Sequence, residues 1–137
     1  MNAAVRKSLS LLFVAALTSC GGGRELVSIS IAPAVADAQS FSSGQVQFVA
    51  TGTYSQQPSP VQLTSADIGW CVGDSTGHCA GFINSGATIS ASGVANCNSG
   101  FAGTVTVLAG RPTTGLNPVP DTGFQLSVFG TAQLTCP

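Results

Sequence analysis

Short runs of alternating apolar and polar residues, separated by clusters of Gly, Pro, Ser and Asn, occupy most of the sequence after residue 25. In "LVSISIAP", Val27, Ile29 and Ile31 alternate with serines, and "GTVTVLAG" repeats the pattern with Val105 and Val107. Successive side chains of a β-strand point to opposite faces, so this pattern predicts strands with one buried face rather than helices. Six or seven such strands in one short chain predict a two-layer β-sandwich, with a small barrel as the alternative.

Two proline-containing stretches interrupt the strand pattern and are predicted to be loops. The first is "SQQPSPVQLTSA", with two prolines, and the second is Gly110–Gly123, with three. Proline cannot donate a hydrogen bond within a sheet, so neither stretch can be a central strand. Long connections often carry function. The second stretch is therefore a candidate contact loop, with Arg111, Asn117 and Asp121 as its polar side chains.

Residues 1–19 have the organisation of a secretory signal peptide. Two basic residues precede the apolar stretch "LSLLFVAAL", which is too short to span a bilayer as a helix. The "LTSC" that follows resembles a bacterial lipobox, which implies cleavage before Cys20 and lipid attachment to that cysteine. Gly21 stands where an aspartate would retain a lipoprotein in the inner membrane, so the resemblance implies delivery to the outer membrane of a Gram-negative cell. The alternative is an ordinary signal followed by an unrelated cysteine. Residues 20–25, with three glycines, form a flexible tether.

The part of the chain beyond the signal carries few charges. It keeps two arginines against five acidic residues, which gives a net charge of −3. Two cations cannot build a stripe that follows the phosphates of a nucleic acid, so no nucleic-acid partner is expected.

Four cysteines besides Cys20 remain in this small exported domain: Cys71, Cys79, Cys97 and Cys136. An oxidising compartment favours two disulfides, for which three connectivities exist. We favour 71–79 with 97–136, because the first pair would staple a short hairpin and the second would join two distant strands. The pairings 71–97 with 79–136, and 71–136 with 79–97, stay open.

The stretch "GWCVGDSTGHCAG" resembles two kinds of chemical site, a serine hydrolase nucleophile and a zinc site. Its centre fits G-x-S-x-G, the frame of a serine hydrolase nucleophile, with Ser75 in the nucleophile position. No helical pattern follows, however, and His78 lies only three residues further along the same loop, so no catalytic residues are predicted. Cys71, Asp74, His78 and Cys79 could ligate zinc, but their spacing is not that of a known zinc site. We interpret the stretch as a disulfide-stapled turn, with no metal and no cofactor.

Several motifs in fixed order resemble the bacterial immunoglobulin-like domain called Big2. The family's first strand, L-x-S-I-x-I-x-P, is matched by Leu26–Pro33, and its Q-F-x-A-T-G-T-Y-S strand by Gln47–Ser55. A tryptophan strand follows at Trp70, then a G-x-V-x-x strand from Gly93 and a G-T-x-T-V-x-A strand from Gly103. The enlarged stretch 71–87 and the proline-rich loop depart from the family pattern.

The resemblance covers almost all of residues 26–137 and implies an all-β fold, an immunoglobulin-like β-sandwich of about seven antiparallel strands. Big2 domains are mostly extracellular spacing or adhesion modules without shared catalytic residues. We therefore expect a non-catalytic lipoprotein of the cell envelope, attached to the membrane by its N-terminal lipid, with a protein partner or self-assembly. A carbohydrate-binding surface module, using Trp70 or Tyr54, is the alternative. A small hydrolase or a zinc site at 71–79 is a third hypothesis.

Overall fold

The computed structural model describes residues 23–80, 86–113 and 123–137. Within them the chain forms strands and one short 3-10 helix, Ala38–Ser40, and no α-helix. The strands, in chain order, are β1 (Leu26–Ala32), β2 (Val35–Asp37), β3 (Gln45–Gln47), β4 (Val49–Tyr54), β5 (Val61–Gln62), β6 (Gly69–Gly73), β7 (His78–Cys79), β8 (Ala87–Ile89), β9 (Val94–Cys97), β10 (Gly103–Pro112) and β11 (Phe124–Cys136).

The first layer is organised around one extended segment that β3 and β4 share. The two strands are interrupted only at Phe48, whose backbone N–H donates to the carbonyl of Gly93 at 2.8 Å. On one side β1 pairs with β4, and on the other β5 pairs with β4 while β9 pairs with β3. β8 then pairs with β9, so the layer reads β1, β4/β3, β9, β8.

The second layer is built on the long antiparallel pair β10–β11. β6 pairs antiparallel with β10, and β2 lies along the other edge of β11. The β2–β11 pair is parallel, which corrects the expectation of a purely antiparallel sandwich. Its physical reason is connectivity, because the chain crosses from β1 to the second layer over Pro33 and Ala34 without reversing. The carbonyl of Ala34 already accepts from the N–H of Gln133 at 2.9 Å.

This strand order is that of an immunoglobulin-like sandwich, with four strand positions in one layer and β6, β10, β11 and β2 in the other. The prediction of an all-β sandwich is confirmed. Apolar side chains from both layers fill the space between them. The largest fully buried ones in this core are Phe48, Ile68, Leu134, Val46 and Val107.

The β1 strand approaches β11 across the edge of the sandwich. A Cβ atom at Gly130 would lie 2.6 Å from the carbonyl oxygen of Ile29. The absence of a side chain at this position therefore lets the two backbones touch. Because Ile29 lies beside Gly130 and Val35 beside Gln133, β1, β2 and β11 all run in the same direction.

Substitution of two phenylalanines that differ in burial tests which side chains stabilise the packing of the two layers. Phe48 is 1% exposed and Phe41 is 39% exposed. We expect Phe48→Ala to lower the free energy of unfolding by about 3–5 kcal/mol, because it opens a cavity between the layers. Phe41→Ala is the matched control and should change it by less than about 1 kcal/mol. Urea unfolding measures both, and similar losses would contradict this packing.

Candidate functional site

The stretch with the hydrolase-like motif forms a hairpin, β6–β7, that folds over the outer face of the second layer. β6 pairs with β10, while in β7 His78 pairs with Gln125 and Cys79 with Phe124 of β11. Gly73 in turn pairs with Cys79, and β10 pairs with β11. The four strands therefore close a circuit, which removes the open edge that β6 would otherwise present.

A second, smaller core lies inside this circuit. Its buried members are Cys71, Cys79, Leu108 and Leu126, and two half-buried phenylalanines pack against it. Cys71 and Cys79 are joined in a disulfide with their Cα atoms 5.6 Å apart. This cluster lies on the opposite side of β6 from the main core, which contains Ile68 and Val72 and packs against Trp70.

Asp74 organises the turn of the hairpin. Its Oδ1 accepts from the backbone N–H of Thr76 at 2.8 Å, from the Thr76 hydroxyl and from the backbone N–H of His78 at 3.3 Å. The Thr76 hydroxyl, then the Thr76 and His78 backbone donors, hold the pKa of Asp74 below its ordinary value. The carboxylate is thus an ionised acceptor of the turn, as in other Asx turns.

Ser75 and His78 are both exposed, and no hydrogen bond joins them in the described part of the chain. A nucleophile elbow needs a strand that turns sharply into a helix, whereas here Ser75 is followed by strand β7. The sulfur atoms of Cys71 and Cys79 are bonded to each other and are not thiolate ligands. Within the described ranges, no three His, Cys, Asp or Glu side chains are grouped to hold a metal ion.

Gly77 fastens the tip of the hairpin to β11. Its carbonyl accepts from the N–H of Leu126 at 2.9 Å, and the Gln125 side-chain amide donates to the carbonyl of Thr76 at 2.9 Å. Gly77 has a φ of 85°, and a Cβ at this position would overlap the ring of Phe129. Both the turn and the contact with Phe129 therefore require glycine here.

The second disulfide joins the two layers at the far end of β11. Cys97 of β9 is bonded to Cys136, and their Cα atoms are 5.7 Å apart. This is the pairing that the sequence favoured, together with Cys71–Cys79. The two disulfides thus have different tasks: one closes a hairpin, and the other ties the first layer to the second.

The two aromatic residues suggested as ligand contacts lie in different environments. The guanidinium of Arg24 lies 3.7 Å from the ring centre of Tyr54, and Arg24 also donates to the backbone carbonyls of Gln56 and Pro58. One face of Tyr54 is therefore occupied within the chain itself. Trp70 is half-buried and lines two surface clefts.

The predicted contact loop is wrong at its start, because Gly110, Arg111 and Pro112 belong to strand β10 and Gly110 pairs with strands on both sides. Arg111 is exposed at the end of β10, and its carbonyl accepts from the Ser127 hydroxyl at 3.3 Å. Asn117 and Asp121 lie outside the described residues, as does the proposed lipid site, Cys20. Hydrogen bonds from the backbone N–H and hydroxyl of Thr64, with smaller contributions from Arg111 and Arg24, lower the pKa of Asp67. These three charged residues thus share one end of the sandwich.

No protein-family model matches this chain, and no curated protein matches it either. Among the described residues, no helix has the length and apolar character needed to cross a bilayer.

Substitution of two glycines with similar backbone angles distinguishes the cost of backbone strain from the cost of a clash with Phe129 at the hairpin tip. Gly77 and Gly100 have φ values of 85° and 79°, but a Cβ at Gly100 would meet no atom within 4 Å. We expect Gly100→Ala to cost about 1–2 kcal/mol of stability through backbone strain alone. Gly77→Ala should cost about 1–3 kcal/mol more, since the Phe129 ring must also move. Equal losses in chemical denaturation would show that the hairpin does not dock on Phe129.

The two disulfides should stabilise the fold unequally. They close loops with sequence separations of 8 and 39 residues. On the chain-entropy estimate, replacing Cys71 and Cys79 together with alanine should cost about 2.5 kcal/mol, and replacing Cys97 and Cys136 together about 4 kcal/mol. Urea unfolding of the two double variants measures this order. Peptide mapping without reduction serves as the control, and linked peptides in any other pairing would contradict the assignment.

Proposed function

We propose that this chain is a non-catalytic lipoprotein of the cell envelope, anchored through lipid on Cys20. Its sandwich, residues 26–137, would act as a structural, adhesive or assembly module, as the resemblance to Big2 domains suggests. The lipobox-like sequence favours the outer membrane of a Gram-negative cell. The exported, oxidising environment that this implies agrees with two disulfides in one small domain.

The observation that carries the proposal is the short distance between Cys20 and the first residue that the fold holds in place, Arg24. Arg24 is held on Tyr54 and on the 56–58 carbonyls, immediately before β1. Three glycines, residues 21–23, separate it from Cys20. Four extended residues reach at most about 14 Å, so a lipid on Cys20 would keep this end of the sandwich close to the bilayer. Such a short tether suits a module that works at the membrane surface.

The same geometry suggests which surfaces remain for a partner. Because β1 and β11 run in the same direction, the Cys97–Cys136 disulfide lies at the end away from Arg24. The flank of the second layer near that end is polar, with Asp37 paired beside Thr135 and Asp74 in the same surface cleft as Thr106 and Gln133. Thr104 and Thr135 hydroxyls lie 3.3 Å apart, and the Gln133 amide donates to the Thr106 hydroxyl at 3.2 Å. Its hydroxyl and amide groups suit hydrogen bonds to another protein or a second copy, as at the polar rim of many interfaces.

Replacement of the lipid-bearing residue tests the proposal. In a Gram-negative host fed labelled palmitate, we expect the full chain to be labelled and to fractionate with membranes. Cys20→Ser should abolish the label, because serine has no thiol to which the lipid can be attached. Gly22→Ser, which changes the tether but keeps the cysteine, is the matched control. A full chain that takes up no label, or a Cys20→Ser protein that is labelled as strongly, would refute lipid anchoring at Cys20.

A further inference from the structure

The first layer leaves a gap over Trp70. β5 contains two residues and β9 begins at Val94, so neither strand covers the indole fully. One cleft of about 250 Å³ opens between β5 and the turn that holds Ser92, and another of about 200 Å³ opens toward Pro112 and Phe124. Trp70 lines both clefts, so the same residue borders two adjoining depressions.

The indole N–H of Trp70 is available to a ligand. It makes no hydrogen bond to the residues that the structure describes, and in the same part of the chain no buried side-chain nitrogen or oxygen lacks a partner. The N–H therefore reaches solvent. Gly93 packs closely on the ring, since a Cβ there would lie 3.0 Å from Cζ2 and 3.2 Å from Cε2 of the indole. Trp70 is thus held in place by the fold while its polar edge stays open.

Amides and hydroxyls surround the larger cleft. The Gln47 side-chain nitrogen donates to the carbonyls of Phe48 and Ser92, at 2.8 and 2.9 Å, which fixes that amide and leaves its oxygen as an acceptor. Gln62 is exposed, and its side chain makes no hydrogen bond to another described residue. None of the described residues lining either cleft carries a charge.

We infer that the Trp70 cleft binds a neutral saccharide, with one sugar ring stacked on the indole and its hydroxyls bonded to Gln62 and the Trp70 N–H. A sugar ring has an apolar face and a rim of hydroxyls that both donate and accept, which amides and an indole can match. The clefts are smaller than the roughly 300–1,000 Å³ typical of drug-sized ligands, which suits a single sugar unit of a longer glycan. This inference does not depend on the lipid anchor.

Trp70 is the sole tryptophan of the chain, so its fluorescence reports the site directly. The full-length protein, in a zwitterionic detergent without a sugar headgroup, is titrated with galactose, glucose, N-acetylglucosamine and their β-1,4-linked disaccharides. We expect at least one of these probes to change the emission saturably. If none does so up to about 100 mM, the inference is overturned, because weaker binding than this corresponds to less than about 1.4 kcal/mol.

Two exposed glutamines provide a matched pair of variants. Gln62→Ala should weaken binding of the active probe about fivefold, which is about 1 kcal/mol, while Gln39→Ala, on the 3-10 helix, should leave it unchanged. Trp70→Phe keeps an aromatic ring but loses the N–H, and calorimetry should show weaker binding. Should Trp70→Phe fail to fold, the glutamine pair decides. Equal affinities for the two glutamine variants would place any sugar site elsewhere and refute the inference.

Two further experiments distinguish sugar binding from peptide binding and from lipid anchoring. A proline-rich peptide is also recognised by aromatic clefts, and saturable binding of such a peptide with no response to sugars would overturn the saccharide assignment. The Cys20→Ser protein should bind the active sugar as the anchored protein does. Loss of anchoring with retained sugar binding would leave the inference standing, and loss of sugar binding alone would leave the anchor standing.

Discussion

The antiparallel pair β10–β11 is the interaction on which the rest of the structure depends. Its register runs from Gly103 opposite Cys136 to Pro112 opposite Leu126. One face of the pair supplies Val107 and Leu134 to the core between the layers, and the other supplies Leu108 and Leu126 to the smaller core under the hairpin. The pair is therefore buried on both faces for part of its length, so its apolar residues do not simply alternate.

Both disulfides stabilise elements that pack on this pair. Cys136 is the last residue of β11, and Cys79 lies opposite its first residue, so the bonds act at the two ends of one strand. The hairpin between Cys71 and Cys79 has few apolar side chains of its own and buries its disulfide instead. In a domain with few ion pairs and a modest core, crosslinks that limit the unfolded chain take a larger share of the stabilisation.

The sequence was most informative about elements whose structure depends on residues close together in the chain. Alternation in "LVSISIAP" predicted β1, and the turn residues between Cys71 and Cys79 predicted a hairpin there. The same alternation was wrong for Val27, because a register shift between Leu26 and Ser28 buries Leu26 and leaves Val27 exposed. The sequence could not predict that β2 would pair parallel with β11, because that depends on how the chain crosses between layers. The contact of Arg24 with Tyr54, across 30 positions of sequence, and the docking of Gly77 on Phe129 were likewise invisible to local patterns. Two features of the sequence could have indicated the second contact. Gly77 is a glycine within a polar turn, and Phe129 is an aromatic residue that breaks the alternation of its strand.

The G-x-S-x-G frame and Trp70 show that a sequence motif becomes a functional site only in the right structural context. The frame has meaning for catalysis only when a helix follows the serine, and the element that follows here was decided by pairing of β7 with β11. A tryptophan on the middle strand of a sandwich is ordinarily covered by the facing layer. Here the facing strand β5 is shortened to two residues beside a proline-rich turn, and the ring stays half open. A partly buried aromatic ring whose N–H reaches solvent is the physical reason to look for ligand binding at Trp70 rather than at Ser75.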